Sequence, residues 1–318
     1  MDINMRNTFE RKHRAFPSFG RAGLGSLRLL GISEVVPCGV AMKRMQRMEE
    51  VLTLSARSEY RRFLSTERGA RSYQRFQRML YGDRDTLVHE ILERAVRKVV
   101  EGRPRAALLD VGCGDGKRTA TICREIERWG VPVEVEVVEQ SPVFVEDIRR
   151  KVASGELSAQ IFAGRFEAYT SERQFDVVLA IHSIFGIEGG DAILRLLALR
   201  KSGGRLLVAS NATGSLLGRL KRSLDTEYSV GRLEVDGVRE QLSSLGVGYR
   251  VERFFTRWSV PSDGDEEVER LVSEWLGLGR FEMLNRDSQG EFREILWSNA
   301  QKRDGRIEWD EEEELVIV

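Results

Sequence analysis

The sequence predicts a doubly wound α/β fold: a seven-stranded, mostly parallel sheet, with helices ahead of it and a helical insertion near its end. Three observations carry this reading. From Ala106 onward, short apolar runs alternate with amphipathic helical patterns, as in a parallel sheet with helices on both faces. The first run, Ala106-Leu-Leu-Asp110-Val, ends in an acid and passes into Gly112-Cys-Gly114-Asp-Gly116, with glycine at every second position ahead of a helix. The second run, Pro132 to Val138, also ends in an acid, Glu139.

The elements follow in order. Residues 1–48 hold nine Lys/Arg against three Asp/Glu and no sustained period; about forty of them are read as a poorly ordered basic extension. Met42, Met45 and Met48 offer an alternative start. A transit segment is the other reading, against which Asp2 and Glu10 count. From about Glu50 the pattern turns helical, with Tyr60, Phe63 and Leu64, then Tyr73, Phe76 and Leu80. A clearer stripe follows at Leu87, Ile91, Ala95, Val96 and Val99, capped by Asp85. Strand 106–111 leads to helix 117–129, and strand 133–139 to helix 142–153, which Pro142 opens at a favoured first-turn position. Strands 158–163 and 175–181, helix 190–200, strand 205–210, helix 235–245 and strand 248–258 come next. A terminal strand at 314–318, antiparallel to the rest, completes the sheet, and residues 261–313 carry two further helical patterns. The expected organisation is thus the extension 1–48 and one domain over 49–318. Within that domain, helices occupy 49–104, the ligand-binding core 105–260, the helical insertion 261–313 and the last strand 314–318.

Composition sets bounds. In 318 residues, Lys+Arg and Asp+Glu are each 50, so the net charge is zero and the basic surplus usual for a nucleic-acid partner is missing. No apolar stretch is long enough to span a bilayer. Three cysteines, Cys38, Cys113 and Cys123, show no metal-ligand spacing, which suits a reduced, cytoplasmic protein without a metal site. A monomer is expected.

The glycine turn lies at the carboxyl end of a strand, where open α/β sheets bind ligands. Glycine there lets backbone N–H groups approach a ligand with no Cβ in the way. The dinucleotide pattern G-x-G-x-x-G would need glycine at position 117, which is Lys117. The run Asp110-x-Gly112-x-Gly114-x-Gly116 instead resembles motif I of class I S-adenosylmethionine-dependent methyltransferases. The resemblance implies S-adenosylmethionine as cofactor. It would be held by Asp110, Gly112, Gly114 and Gly116, by Glu139 at the ribose hydroxyls with Gln140 beside it, and by Ile181. Glu167 either reaches the adenine amine or is a solvated carboxylate at a helix start.

Flanking segments narrow the likeness. Asp176-Val-Val-Leu-Ala-Ile-His182-Ser-Ile-Phe185 resembles the fourth strand and following loop of such enzymes. Ser210-Asn-Ala-Thr-Gly-Ser-Leu-Leu-Gly-Arg-Leu and Tyr60-Arg-Arg-Phe-Leu-Ser-Thr-Glu67 resemble the histamine N-methyltransferase family. The scaffold carries over across residues 55–318, but the substrate does not. That family's substrate glutamine and tyrosines fall on His182, Phe185 and Gly186 here, and its pocket tryptophans fall on Ser215 and about Arg219. Neither the Asn/Asp-Pro-Pro-aromatic run of nucleic-acid adenine methyltransferases nor the paired-glutamate loop of protein arginine methyltransferases is present.

The resemblance implies methyl transfer to a small-molecule acceptor, an amine nitrogen foremost, by direct in-line displacement. Transfer to oxygen or sulfur, or a non-catalytic cofactor-binding interaction module, are the alternatives. An amine must arrive with its lone pair free, so a base or solvent takes a proton. His182 is the histidine placed at the open end of a strand, and it is read either as that base or as a loop histidine bonded to backbone. Glu67 and Phe185 are the other acceptor-site candidates. Glu67 offers a charge partner for a cationic acceptor, while Phe185 gives either a cation–π contact or ordinary packing. The run Asp310–Glu314 either adds to an acidic field at the pocket or is solvated.

Overall fold

A computed structural model describes residues 66–81, 86–187, 190–223, 235–261, 265–275 and 286–318. All of them belong to the unit Gln46–Val318. The expected helix around Tyr60, Phe63 and Leu64 and the cap at Asp85 lie outside them.

The strands are β1 (Ala106–Val111), β2 (Val133–Glu139), β3 (Gln160–Ala163), β4 (Phe175–Ile181), β5 (Arg200–Asn211), β6 (Arg250–Pro261), β7 (Gln301–Arg303) and β8 (Arg306–Ile317). They form one sheet in the order β3-β2-β1-β4-β5-β8-β6, with β7 paired to β8. The first five strands are parallel, and β8 enters antiparallel between β5 and β6. This is the doubly wound, mostly parallel architecture of class I methyltransferases. Strands β1 and β4 are buried along their whole length and are apolar but for one aspartate each, Asp110 and Asp176, because both their faces are covered by helices.

Helix α1 (Glu67–Tyr81) comes first, followed by α2, which runs from Thr86–Ile91 through a π-helical turn at Leu92–Val96 into Arg97–Val100. Between strands come α3 (Lys117–Arg128), α4 (Pro142–Ala153), α5 (Ala192–Ala198), α6 (Leu216–Ser223), α7 (Val235–Ser244), α8 (Asp265–Trp275) and α9 (Arg286–Ser298). No described helix is long and apolar enough to cross a membrane.

At the amino ends of the central strands, Asp176 ties three strands together. Its carboxylate accepts from Ala107 N (2.8 Å) and Lys201 Nζ (2.9 Å) and pairs with Arg103. Burial pushes its pKa up, but the hydrogen bonds from Lys201 and Ala107 N and the Arg103 charge outweigh this and hold it low. On one sheet face a core gathers α1, α2, β6 and β8. Trp258 is fully buried there, its ring 5.9 Å from Phe76 in an edge contact and 6.2 Å from Trp309.

The structure departs from the sequence reading at the end of the chain. The last strand spans Arg306–Ile317 rather than 314–318, and a short β7 precedes it, so the sheet has eight strands. Asp304 and Gly305, both left-handed (φ 49° and 71°), form the turn between β7 and β8. The segment expected to be wholly helical to residue 313 thus supplies α8 and α9 and then returns to the sheet. The acidic run is solvated only in part: Asp310 is exposed and Glu312 half-buried, but the other three acids are buried. Glu311, Glu313 and Glu314 are 0–2% exposed. Each is held by partners: Leu217 N for Glu311, Asn211 and Thr256 for Glu313, and Arg239 and Arg253 for Glu314.

The Trp258 indole Nε1 is buried without a hydrogen-bond acceptor, which costs roughly 1–3 kcal/mol. Trp258→Ala is therefore expected to lower the free energy of unfolding by about 3–5 kcal/mol. Trp258→Phe should cost much less, because it removes the unsatisfied donor and keeps most of the ring. Urea denaturation of both variants checks this.

Candidate active site

The site forms where β1, β2 and β4 end level with one another. Asp110 stands opposite Val137 of β2 and Leu179 of β4, and Val111 stands opposite Val138. Gly112 therefore leaves β1 abreast of Glu139, and its N–H donates to Val138 O at 2.7 Å. The chain reverses its direction of winding between β1 and β4, and the crevice at such a switch point is where open α/β sheets take ligands.

Gly112, Gly114 and Gly116 all have left-handed φ (70°, 62° and 75°), a region that costs other residues energy. Their surroundings separate their roles. A Cβ on Gly112 would stand 2.4 Å from Ser183 Cβ, and one on Gly116, the N-cap of α3, 3.3 Å from Ile148. A Cβ on Gly114 would meet nothing nearer than the Tyr73 ring at 4.0 Å. Gly112 and Gly116 let the loop pack, whereas Gly114 presents open backbone.

That backbone faces a cavity of about 280 Å³, near the lower end of small-molecule sites. Asp110, Gly112, Cys113, Gly114 and Asp115 form its floor, Lys117 and Arg118 of α3 and Ile181 of β4 its sides, and Tyr73, Gln74, Gln77 and Arg78 of α1 its roof. The roof is tied down through Gln74 Nε2, which donates to Asp147 (2.8 Å) and Asp115 (3.3 Å). The Tyr73 hydroxyl accepts from Gln77 (2.8 Å), and burial pushes its pKa to about 12. Burial raises Asp110 to about 6, although Thr119 Oγ1 donates to it at 2.6 Å. The Cys113 thiol is raised well above its usual value, first by burial and then by Asp110 and Glu139. That keeps it protonated and unreactive.

Glu139 is 6% exposed and braces the loop from β2. Its carboxylate accepts from Gly114 N (2.9 Å) and Ser141 N (2.7 Å). Burial raises its pKa to about 7 against these hydrogen bonds. A carboxylate has about four acceptor sites, so acceptor capacity remains. Gln140 beside it is exposed.

Of the residues singled out from the sequence, Asp110, Gly112, Gly114 and Ile181 line the cavity together, and Glu139 supports it. The others stand apart. Gly116 caps α3. Glu167, in a 3₁₀ turn at Phe166–Ala168, pairs with Arg165 at 3.2 Å. Phe185, in the 3₁₀ turn Ile184–Gly186, packs half-buried against the hydrophobic core. Glu67 is at the first turn of α1, its side chain 80% exposed. His182 follows Ile181 directly and is buried. It has φ 51°, donates its N–H to Ala209 O at 2.8 Å, and sets Nε2 3.3 Å from the Glu313 carboxylate.

Sequence reasoning missed the roof of the cavity and Arg118. The polar positions of α1, with Tyr73 and Gln77 one turn apart and Gln74 and Arg78 likewise, have the spacing of a solvent-facing helix stripe. Among the described residues no group of three or more His, Cys, Asp or Glu could hold a metal ion.

Residues 108–204 match the sequence profile of a family described as a methyltransferase domain. No curated protein matches the chain. Among solved structures, the chain is similar to phosphoethanolamine N-methyltransferase 2 of Haemonchus contortus. The TM-score is 0.50 at 16% identity, over 81% of this chain and 59% of that one. The plantazolicin methyltransferase BpumL, solved with S-adenosylhomocysteine, gives 0.48 at 13% identity over 86% and 98%. The YcgJ protein of Bacillus subtilis gives 0.47 at 14% over 72% and 97%. The domain match and the fold support a class I, S-adenosylmethionine-dependent methyltransferase.

The three glycines should respond differently to substitution. Gly112→Ala is expected to lower stability by about 2–4 kcal/mol, through left-handed strain and the Ser183 contact. Gly114→Val should cost only about 1–3 kcal/mol of strain yet abolish S-adenosylhomocysteine binding. Thermal melts paired with calorimetric titration separate the two outcomes.

Proposed function

We propose that this protein transfers a methyl group from S-adenosylmethionine to the nitrogen of a small amine-bearing acceptor. The observation that carries the proposal is the switch-point cavity, lined by the open Gly114 backbone, Asp110 and Ile181, the residue that His182 directly follows in the chain. In this reading Gly114 gives close backbone approach, Gly112 shapes the loop beside it, and Glu139, with Gln140 next to it, receives the ribose hydroxyls. Glu167 is assigned to the adenine end and Gly116 to holding the loop at the start of α3. When bound, the cofactor supplies a methyl group already activated on a sulfonium sulfur, so catalysis rests mainly on holding the nucleophile in line.

The chain's own residues then have two tasks. The α1 roof excludes water and fixes where the acceptor enters. His182 takes the proton that the amine must lose, a task suited to imidazole. Glu67 and Phe185 are assigned to the acceptor side, with Glu67 giving a carboxylate at the amino end of the covering helix. The likeness of Tyr60–Glu67 and Ser210–Leu220 to the histamine N-methyltransferase family supports an amine. The exchange of that family's glutamine and tryptophans for His182, Ser215 and about Arg219 argues for an acceptor other than histamine. The protein is proposed to act as a cytoplasmic monomer.

Incubation with methyl-labelled cofactor and a panel of small amines, imidazoles, phenols and thiols, with products read by mass, tests the assignment. Label on amine nitrogen is the expected result. Turnover confined to phenols or thiols would overturn the amine reading, and cofactor binding without any turnover would make the protein a binding module.

The buried carboxylates add a pH signature. With its pKa raised to about 7, Glu139 binds a proton in the folded, ligand-free protein that it does not bind when unfolded. Its contribution to stability is therefore full below about pH 4.5 and is lost as pH rises through 7. Hydrogen bonds from ribose hydroxyls favour the ionised form. Binding of S-adenosylhomocysteine at pH 6.5 should thus release on the order of half a proton, and affinity should weaken as pH falls below 7. Calorimetry in buffers of different ionisation enthalpy measures the release, and Glu139→Gln should remove most of it.

A further inference from the structure

We propose that Glu313 is a positioning residue for His182: a buried carboxylate from the antiparallel strand β8 that fixes which imidazole nitrogen carries the proton. This rests on the reading of His182 as proton acceptor. The two residues lie 131 positions apart in the chain, and the sheet register brings them together. Ile181 pairs with Ala209, Asn211 with Glu313, and Phe254 with Glu313, so Glu313 is enclosed on both sides by β5 and β6.

The identity of residue 313 needs a reason. The inward positions of β8 otherwise read Ile307, Trp309, Leu315 and Ile317, all buried in one core. Glu311 and Glu313 interrupt that row with carboxylates, which cost several kcal/mol to bury. Glu311 has a structural task, since both its oxygens accept from Leu217 N (3.2 and 3.3 Å) at the start of α6. Glu313 Oε1 accepts weakly from Asn211 Nδ2 (3.3 Å) and Thr256 Oγ1 (3.4 Å), while Oε2 faces His182 Nε2 at 3.3 Å, with both side chains at most 6% exposed.

His182 carries a second mark. Its left-handed φ of 51° costs a non-glycine residue energy, and such strain gathers at functional sites. The approach of Oε2 to Nε2 lacks hydrogen-bond geometry, but a negative charge 3.3 Å from Nε2 favours the proton on that nitrogen and leaves the basic lone pair on Nδ1. The proton leaving the acceptor nitrogen is then carried on Nδ1 and passes on to solvent. The carboxylate faces the imidazole as the aspartate does in a hydrolytic triad.

The test is a double-mutant cycle on the full chain with Glu313→Gln and His182→Asn. Glutamine keeps the size and one acceptor oxygen but loses the charge. Glu313→Gln is expected to lower kcat about 10- to 100-fold, with cofactor KM within twofold. In the His182→Asn background the same substitution should change the residual kcat less than twofold. An equal fold-loss in both backgrounds would show that Glu313 acts on the fold rather than through His182, and would overturn the proposal. Should the variants fail to fold, nitrogen NMR of histidine-labelled wild-type protein decides, with Nε2 protonated as the expected state and the opposite tautomer overturning the assignment. Full turnover in His182→Asn would end the roles of both residues while leaving the methyltransferase reading intact. Absence of S-adenosylhomocysteine binding to the wild type would instead remove that wider reading.

Discussion

The ligand-binding end of this molecule depends on one constraint, the common register in which β1, β2, β4 and β5 are held. Asp176 helps to set it from the far end, where a single carboxylate takes the Ala107 N–H, the Lys201 ammonium and the Arg103 guanidinium. At the other end β1, β2 and β4 finish level, so that Gly112 reaches Val138 O and Gly114 reaches Glu139. A one-residue slip would turn every side chain of the slipped strand to the opposite face and would move Asp110 away from Thr119. The catalytic end inherits its precision from a clamp at the other end.

Apolar packing and polar function share the rest of the molecule unevenly. The α1 roof is anchored by Phe76 against Trp258 on one side and by Gln74 and Arg71 against Asp147 on the other. The helix that closes the cavity is thus fastened to two different parts of the sheet-and-helix frame. The buried acids Asp110 and Glu139 are both shifted upward by loss of hydration. The cavity floor therefore holds its negative charge weakly until partners arrive.

Much of this was legible in the chain. Buried parallel strands are mostly apolar runs, so β1 and β4 could be placed to the residue from Ala106–Val111 and Phe175–Ile181; β2, Val133–Glu139, showed instead as an alternation of Val and Glu. Strand β8 was hidden for a physical reason. Its inward row substitutes glutamates at 311 and 313, and its outward row is charged as well, so Asp310–Glu314 has no alternation of polarity to detect. The turn ahead of it is Asp304-Gly305, a dipeptide suited to a hairpin. The His182–Glu313 contact was beyond reach, because it depends on which strand inserts where in the sheet. No local pattern encodes that.

The place of β8 has a consequence in time. It pairs with β5 and β6, both of which are synthesised earlier, and it lies between them. The sheet therefore cannot be completed by adding strands in the order they are made. Until residues 306–317 arrive, β5 and β6 lack their shared neighbour, α6 lacks the Glu311 carboxylate at its first turn, and His182 lacks Glu313. Contacts of such sequence separation close slowly, because loop entropy must be overcome before they are rewarded. A nascent chain can build the glycine loop and the cavity floor early, from local β-α-β units. The His182–Glu313 contact would come last, as the final strand slots into the gap left for it.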